Sequence, residues 1–201
     1  LGTTRKMPIE VARAVIEQAH ARGLKVAVHI FYLDDAKALL KAGADFIAHS
    51  VRDQPVDEEF ISLLKARNVC VCPTLTREVS TFVYADEPDF FADPFFLKAA
   101  DHAVVAELRS PERRELVRAS TAAARYREAL KVASRNLKAL SDAGVPIAFG
   151  TDTGPPARFQ GYFEHRELQL MVEAGLTPAQ ALFAATGGAA RRMGLSDVGR
   201  V

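Results

Sequence analysis

Short apolar runs alternate with amphipathic helical patterns along this chain, and few folds accept that alternation. Residues 8–22 place Ile9, Ala12, Val15, Ile16 and Ala19 on one helical stripe, with Pro8 suited to the first turn and Gly23 to the stop. Residues 24–30 (Leu-Lys-Val-Ala-Val-His-Ile) read as a first strand, and 34–42 as a helix closed by Gly43. A second strand follows at 46–50, a third helix at 57–67 with Asp57 as its N-cap, and a third strand at 69–74. The unbroken apolar residues 147–149, closed by Gly150, read as a fourth strand. Helices at 160–174 and 178–193 complete the order, the last opened by Thr177-Pro178 and carrying Gly187-Gly188 near its end. Such an order predicts an α/β fold with parallel strands joined by helical crossovers.

The regularity breaks in the middle. Residues 77–96 carry Phe82, Tyr84, Phe90, Phe91, Phe95 and Phe96 among acids and prolines, and read as a long functional loop or lid. From there to Asp142 the pattern turns helical, split in two by Pro111. The expected organisation is one domain over 1–201, with a loop and helical insertion at about 77–142. Four strands with helices fit either an open doubly wound sheet or a segment of a (β/α)8 TIM barrel. No Gly-x-Gly-x-x-Gly, no phosphate-cradling Gly-x-x-x-x-Gly-Lys and no Gly-x-Ser-x-Gly elbow follows a strand, so the partial barrel is the better reading.

Composition sets the outer bounds. The 201 residues are 49% hydrophobic and 25% charged, as in an ordinary globular unit. A net charge of +1 gives no electrostatic case for nucleic acid or an anionic membrane. No apolar run approaches the roughly 18–20 residues that span a bilayer. Arg5, Lys6 and Pro8 lead into an amphipathic pattern and not into a signal peptide. Cys70 and Cys72, at i and i+2, point to one face and read as packing residues, not a disulfide. The chain opens at Leu1 without a methionine and enters a helix at once, which reads as a piece of something longer; its compartment is left open.

Chemistry is expected at the strand ends, because ligands bind at the carboxyl ends of parallel strands. His29 ends the first strand, His49 the second, and Asp152 follows the fourth between Thr151 and Thr153. Two imidazoles and a carboxylate are the usual ligands of a catalytic divalent metal such as zinc, and Asp152 could also serve as general base. The alternative is two hydrogen-bonded rim histidines beside an unrelated turn aspartate. Arg52 or Arg77 could hold a substrate carboxylate by a bidentate contact, or be solvated surface arginines. Tyr32 is a further substrate-binding candidate. His165 either orients the site or caps its helix, and His20 and His102 read as surface residues.

Five stretches resemble the amidohydrolase superfamily: Val-Ala-Val-His29, Ala-Gly-Ala-Asp-Phe-Ile-Ala-His49-Ser, Val-Cys-Pro-Thr74-Leu, Ala-Gly-Val-Pro-Ile-Ala-Phe-Gly-Thr-Asp152, and the tail from His165 through Thr177-Pro178 to Thr186. They look most like the branch of imidazolonepropionase and the metal-dependent Xaa-Pro and related dipeptidases. The resemblance implies that His29, His49 and Asp152 end barrel strands 5, 6 and 8. It implies that the histidines bind metal, most directly zinc, and that Asp152 binds metal and shuttles a proton. Hydrolysis of a C–N bond in a small cyclic amide or dipeptide by metal-activated water would follow. The family's strand 1 His-x-His, its strand 4 lysine and its small β-sandwich have no counterpart here. The chain therefore reads as the C-terminal half of a barrel, with the N-terminal half or an oligomer partner completing it around a small-molecule substrate. A deaminase of the same superfamily and a non-catalytic α/β binding module are the other readings.

Overall fold

The structure is a computed structural model that describes residues 6–200; Leu1 and Arg5, which bear on the reading of the chain's start, lie outside the described residues. Helix α1 (Ile9–His20) buries Ala12 and Ile16, and Pro8 stands just before it as N-cap. Strand β1 (Ala27–His29) leads to α2 (Leu33–Ala42), which stops at Gly43 with φ 113°, a left-handed conformation that glycine takes without strain. Strand β2 (Phe46–Ala48) leads to α3 (Glu58–Ala66), whose N-cap Asp57 accepts from the Phe60 amide at 3.0 Å. Strand β3 (Cys70–Cys72) follows.

The three strands form one parallel sheet in the order β1-β2-β3, with His29 paired to Ala48 and Ala48 to Cys72. The predicted fourth strand is a correction: only Ile147 joins, as a single parallel bridge to Val71. The Val71 amide donates to the Pro146 carbonyl at 3.0 Å and Ala148 donates to Val71 at 2.9 Å. One residue on, the Phe149 amide turns away to the Ala184 carbonyl, so the ladder ends there. Cys70 and Cys72 are buried free thiols that pack with Ala148.

The predicted lid is a second correction. Residues 77–96 lie in α4 (Leu75–Phe82), two 3-10 turns (Val83–Ala85 and Asp89–Ala92) and α5 (Pro94–Leu97). They continue into α6 (His102–Arg109), α7 (Pro111–Ala119) and α8 (Thr121–Asp142). Tyr84, Phe91 and Phe96 are buried together with Val105, Leu108 and Val117, so the aromatics form a satellite core. Asp93, one of the acids that suggested a loop, is a helix cap, and Asp101, Ser110 and Ser120 cap the helices that follow, each accepting from an amide in the next turn. Pro111 divides the helices as expected, and two further breaks, before His102 and at Ser120, were not shown by spacing.

Helix α9 (Tyr162–Glu173) precedes α10 (Pro178–Ala185) and α11 (Gly187–Met193). Thr177 and Gln180 make the expected cap reciprocal. The single helix expected at 178–193 is broken at Thr186. A Cβ on Gly188 would stand 2.7 Å from the Phe183 carbonyl, so the crossing of these segments requires glycine there.

The main core lies between the sheet and α2, α3 and α8, with Ile47, Leu40, Phe60, Leu64, Val71 and Leu140 buried. Each such side chain contributes about 1.5–3 kcal/mol on burial. Buried Asn136 of α8 pins the segment after β2: its Nδ2 donates to the Val51 and Gln54 carbonyls and its Oδ1 accepts from the Val56 amide. Among the described residues no helix is long and apolar enough to cross a membrane.

Candidate active site

The carboxyl ends of the strands meet on one rim. His29 and His49, on adjacent strands, stand edge to face with ring centroids 4.4 Å apart. Phe31 packs edge-on to His29 at 4.4 Å and stacks beside His49 at 5.8 Å. The guanidinium of Arg52 lies 3.6 Å from the Phe31 ring centre and that of Arg77 4.5 Å, with Tyr126 of α8 within 5.0 Å of Arg52. Phe31 is therefore the apolar hub on which both imidazoles and both cations pack.

Three residues at these ends, His49 (φ 73°), Thr74 (φ 50°) and Asp152 (φ 57°), hold left-handed backbone without being glycine. Each such conformation costs roughly 1–2 kcal/mol and gathers at functional sites. Thr74 Oγ1 lies 2.6 Å from His49 Nδ1, which engages one ring nitrogen and sets the orientation of the ring. Burial, reinforced by nearby His29 and Arg77, pushes His49 down to about 3. Burial and then the Arg77 and Arg52 charges lower His29 as well. Both rings are neutral at physiological pH, with nitrogen lone pairs to offer.

The charged groups are paired. Arg52 is buried in an ion pair with buried Glu78, and Arg77 stands 3.5 Å from both Glu78 and Asp152. Asp152, which is exposed, accepts from Arg158 Nη1 at 2.6 Å, and Arg158 also donates to the Asp152 carbonyl at 2.9 Å. Burial pushes the Glu78 carboxyl up and the Arg52 guanidinium down, since both lose water. Arg52 Nε and Nη2 and Glu78 Oε2 have no partner among the described residues.

The structure thus brings His29, His49, Arg52, Arg77 and Asp152 to one rim. Tyr32 precedes α2 as its N-cap residue, with Lys6 Nζ 4.2 Å from its ring. His165 is exposed in α9, edge-on to Phe95 at 5.0 Å in the aromatic insertion. Sequence reasoning did not assign Phe31, Glu78, Tyr126, Arg158, Glu164 or Glu167. Glu78 and Arg158 carry no local spacing signal, because the partners that make them matter lie 26 and 6 residues away.

The donors suit a divalent metal in kind: two neutral imidazoles on neighbouring strands with a carboxylate across from them. Among the described residues no three histidine, cysteine, aspartate or glutamate side chains converge as a metal-holding group. The carboxylate that would complete one is tied to Arg158.

Comparison with known proteins gives the rim a context. The model of the amidohydrolase family matches residues 6–201. An uncharacterized protein of Mycobacterium tuberculosis (strain ATCC 25618 / H37Rv) is 28% identical over 191 residues, covering 94% of this chain and 43% of its own length. A counterpart in Mycobacterium bovis matches equally. A solved Xaa-Pro dipeptidase with methionine bound in its active site superposes with a TM-score of 0.69 at 24% identity, covering 99% of this chain and 41% of that one. Aspergillus niger ochratoxinase superposes at 0.64 and 22% identity, covering 96% and 36%. At these identities the solved structures speak to the α/β fold. The chain spans less than half the length of the relatives it matches.

Proposed function

The chain belongs to the amidohydrolase family, whose members generally use divalent metals, and from that membership we propose a metal-dependent hydrolase of C–N bonds in a small cyclic amide or dipeptide. Its 201 residues supply about strands 5–8 of a (β/α)8 barrel, and the remaining strands come from the rest of a parent polypeptide or from a partner chain. The family relatives, more than twice this length, support that division. One observation carries the reading: two neutral imidazoles in ring contact at adjacent parallel strand ends, with Asp152 and a cationic rim beside them.

In this reading His29, His49 and Asp152 would hold the metal, most directly zinc, which supplies water activation when bound. Asp152 accepts the proton of the attacking water and passes it to the leaving nitrogen. Arg77, packed on Phe31 and 3.5 Å from both Glu78 and Asp152, turns to the substrate carboxylate, and Arg52, paired with Glu78, is the second candidate cation. Tyr32 and His165 stand on flanking segments, against Lys6 and Phe95, and are the outer candidates for substrate contact. The Asp152–Arg158 pair favours a second reading, a non-catalytic module that keeps the fold with the carboxylate permanently engaged.

Zinc titration by calorimetry separates the two. We expect stoichiometric binding by the chain that His49→Ala and Asp152→Asn each abolish. Dipeptide and lactam turnover should then follow when the other barrel half is supplied. A folded chain that takes up no zinc with or without that half leaves the non-catalytic module.

A further inference from the structure

Helix α4 begins with an anomaly. Thr74 is its N-cap residue, of the type that usually bonds the first amides of a helix, yet it makes no cap bond. Its hydroxyl lies against His49 Nδ1 instead. The orphaned amides are satisfied from another helix: Glu167 of α9 accepts from Leu75 at 2.8 Å and from Thr76 at 2.7 Å. The Thr76 hydroxyl donates to the same carboxylate at 2.8 Å and also reaches the Thr151 carbonyl at 3.3 Å. Glu167 is fully buried, a position that carboxylates rarely occupy unless every lone pair has work.

One turn earlier on the same face, Glu164 makes the matching contact to the other turn. Its Oε1 accepts from the Thr151 hydroxyl at 2.9 Å and the Thr153 hydroxyl at 2.8 Å, the two residues that flank Asp152. Thr153 donates its amide to Thr151 Oγ1 at 3.3 Å, which closes the turn on itself. The left-handed residues Thr74 and Asp152 thus sit in turns that one helix face holds from behind.

We propose that Glu167 and Glu164 of α9 are positioning residues, Glu167 capping α4 in trans so that Thr74 is released to orient His49, and Glu164 clamping the hydroxyls on either side of Asp152. The inference rests on the reading of His49 and Asp152 as ligands for its purpose, but its geometry does not depend on the reaction. A hydrolase of this design fixes its ligands through a helix that touches neither of them, as outer-shell partners do in other metal sites.

The test uses the metal-free chain. A long-range proton–nitrogen spectrum of the His49 ring reports its tautomer directly, which a purely structural role for Glu167 would not move. Wild type should show one tautomer. Glu167→Gln keeps the packing but offers one oxygen to two amides, so the left-handed Thr74 turn should loosen and its hydroxyl should leave His49 Nδ1. His49 should then show averaged nitrogen shifts, as in Thr74→Val, while far-UV circular dichroism stays native. Zinc affinity should fall about tenfold in both variants. Native Glu167→Gln protein with an unchanged His49 spectrum overturns the proposal. If that variant does not fold, hydrogen exchange on the wild type decides: Leu75 and Thr76 amides should be as protected as those inside α9, and exchange at loop rates overturns it. A shifted spectrum in a chain that never binds zinc upholds the positioning role and sinks the hydrolase reading alone.

Discussion

Breaking the Arg52–Glu78 pair tests whether Arg52 is a structural cation or a free substrate ligand. Its side chain is 2% exposed and that of Glu78 0%. Removing one member of a buried pair strands the other without water and typically costs 3–5 kcal/mol. In Arg52→Met the stranded carboxylate keeps Arg77 at 3.5 Å, which places the loss at the low end, about 3 kcal/mol. In Glu78→Gln the stranded guanidinium keeps the Phe31 and Tyr126 faces, worth roughly 0.5–2 kcal/mol, and the expected loss is again about 3 kcal/mol. The double variant Arg52→Met/Glu78→Leu removes both charges along with the unpartnered Nε, Nη2 and Oε2 atoms, and should return close to wild-type stability. Tryptophan is absent, so urea unfolding is best followed by far-UV circular dichroism. For a chain of this size each single variant should also lower Tm by about 6–12 °C. Losses below about 1 kcal/mol, or a double variant equal to the sum of the singles, would refute the reasoning and leave Arg52 a screened rim cation available to substrate.

Burial pushes Glu167 up to about 7, with the negative charge of Glu78 adding to it against the pull of three donors. The unfolded chain then releases that proton first, near 4.5, so the folded state loses stability as pH rises from about 4.5 through 7, by about 3 kcal/mol in all. Urea midpoints at pH 5 and 8 should show the fall in wild type and a flattened slope in Glu167→Gln; equal slopes would count against it. A Cβ at Gly150 would meet the buried Cys72 sulfur at 2.6 Å, so Gly150→Ala should destabilise by about 1–3 kcal/mol and Cys72→Ala should relieve most of it. Phe91→Ala should cost about 3–5 kcal/mol and expose residues 83–119 to limited proteolysis while the sheet stays protected. Cleavage spread evenly over the chain would show that the satellite core does not open by itself.

How far the sequence carried depended on whether a signal was local. The α/β alternation, the Asp57 and Thr177 caps and the stop at Gly43 are each set by residues within one turn, and each is where the pattern placed it. The aromatic stretch 77–96 misled because an acid such as Asp93 reads equally well as a loop residue or as a cap, and only the burial of Phe91 and Phe96 separates the two. The fourth strand shrank to one bridge because Phe149 finds its acceptor in α10, a partner that periodicity does not see. Likewise His49 and Asp152 stood out as polar residues after apolar runs, whereas Glu167 looked like any acid on an amphipathic helix. Its role depends on two amides 91 and 92 residues away.

The same distinction explains how the rim can hold three strained residues. A left-handed histidine, threonine and aspartate at successive strand ends are each unfavourable on their own, and local sequence offers them no glycine and little turn chemistry in compensation. What holds them is long-range and polar: Asn136 on the segment after His49, Glu167 on the turn after Thr74, Glu164 on the threonines beside Asp152. Helices α8 and α9, which supply these groups, are anchored by the apolar contacts of Leu137, Leu170 and Met171. The hydrophobic core therefore fixes where the helices lie, and the helices fix the turns through hydrogen bonds. The left-handed turns that carry His49, Thr74 and Asp152 are thereby held at the rim by groups outside it, while the Asp152 carboxylate itself is engaged by Arg158 and Arg77.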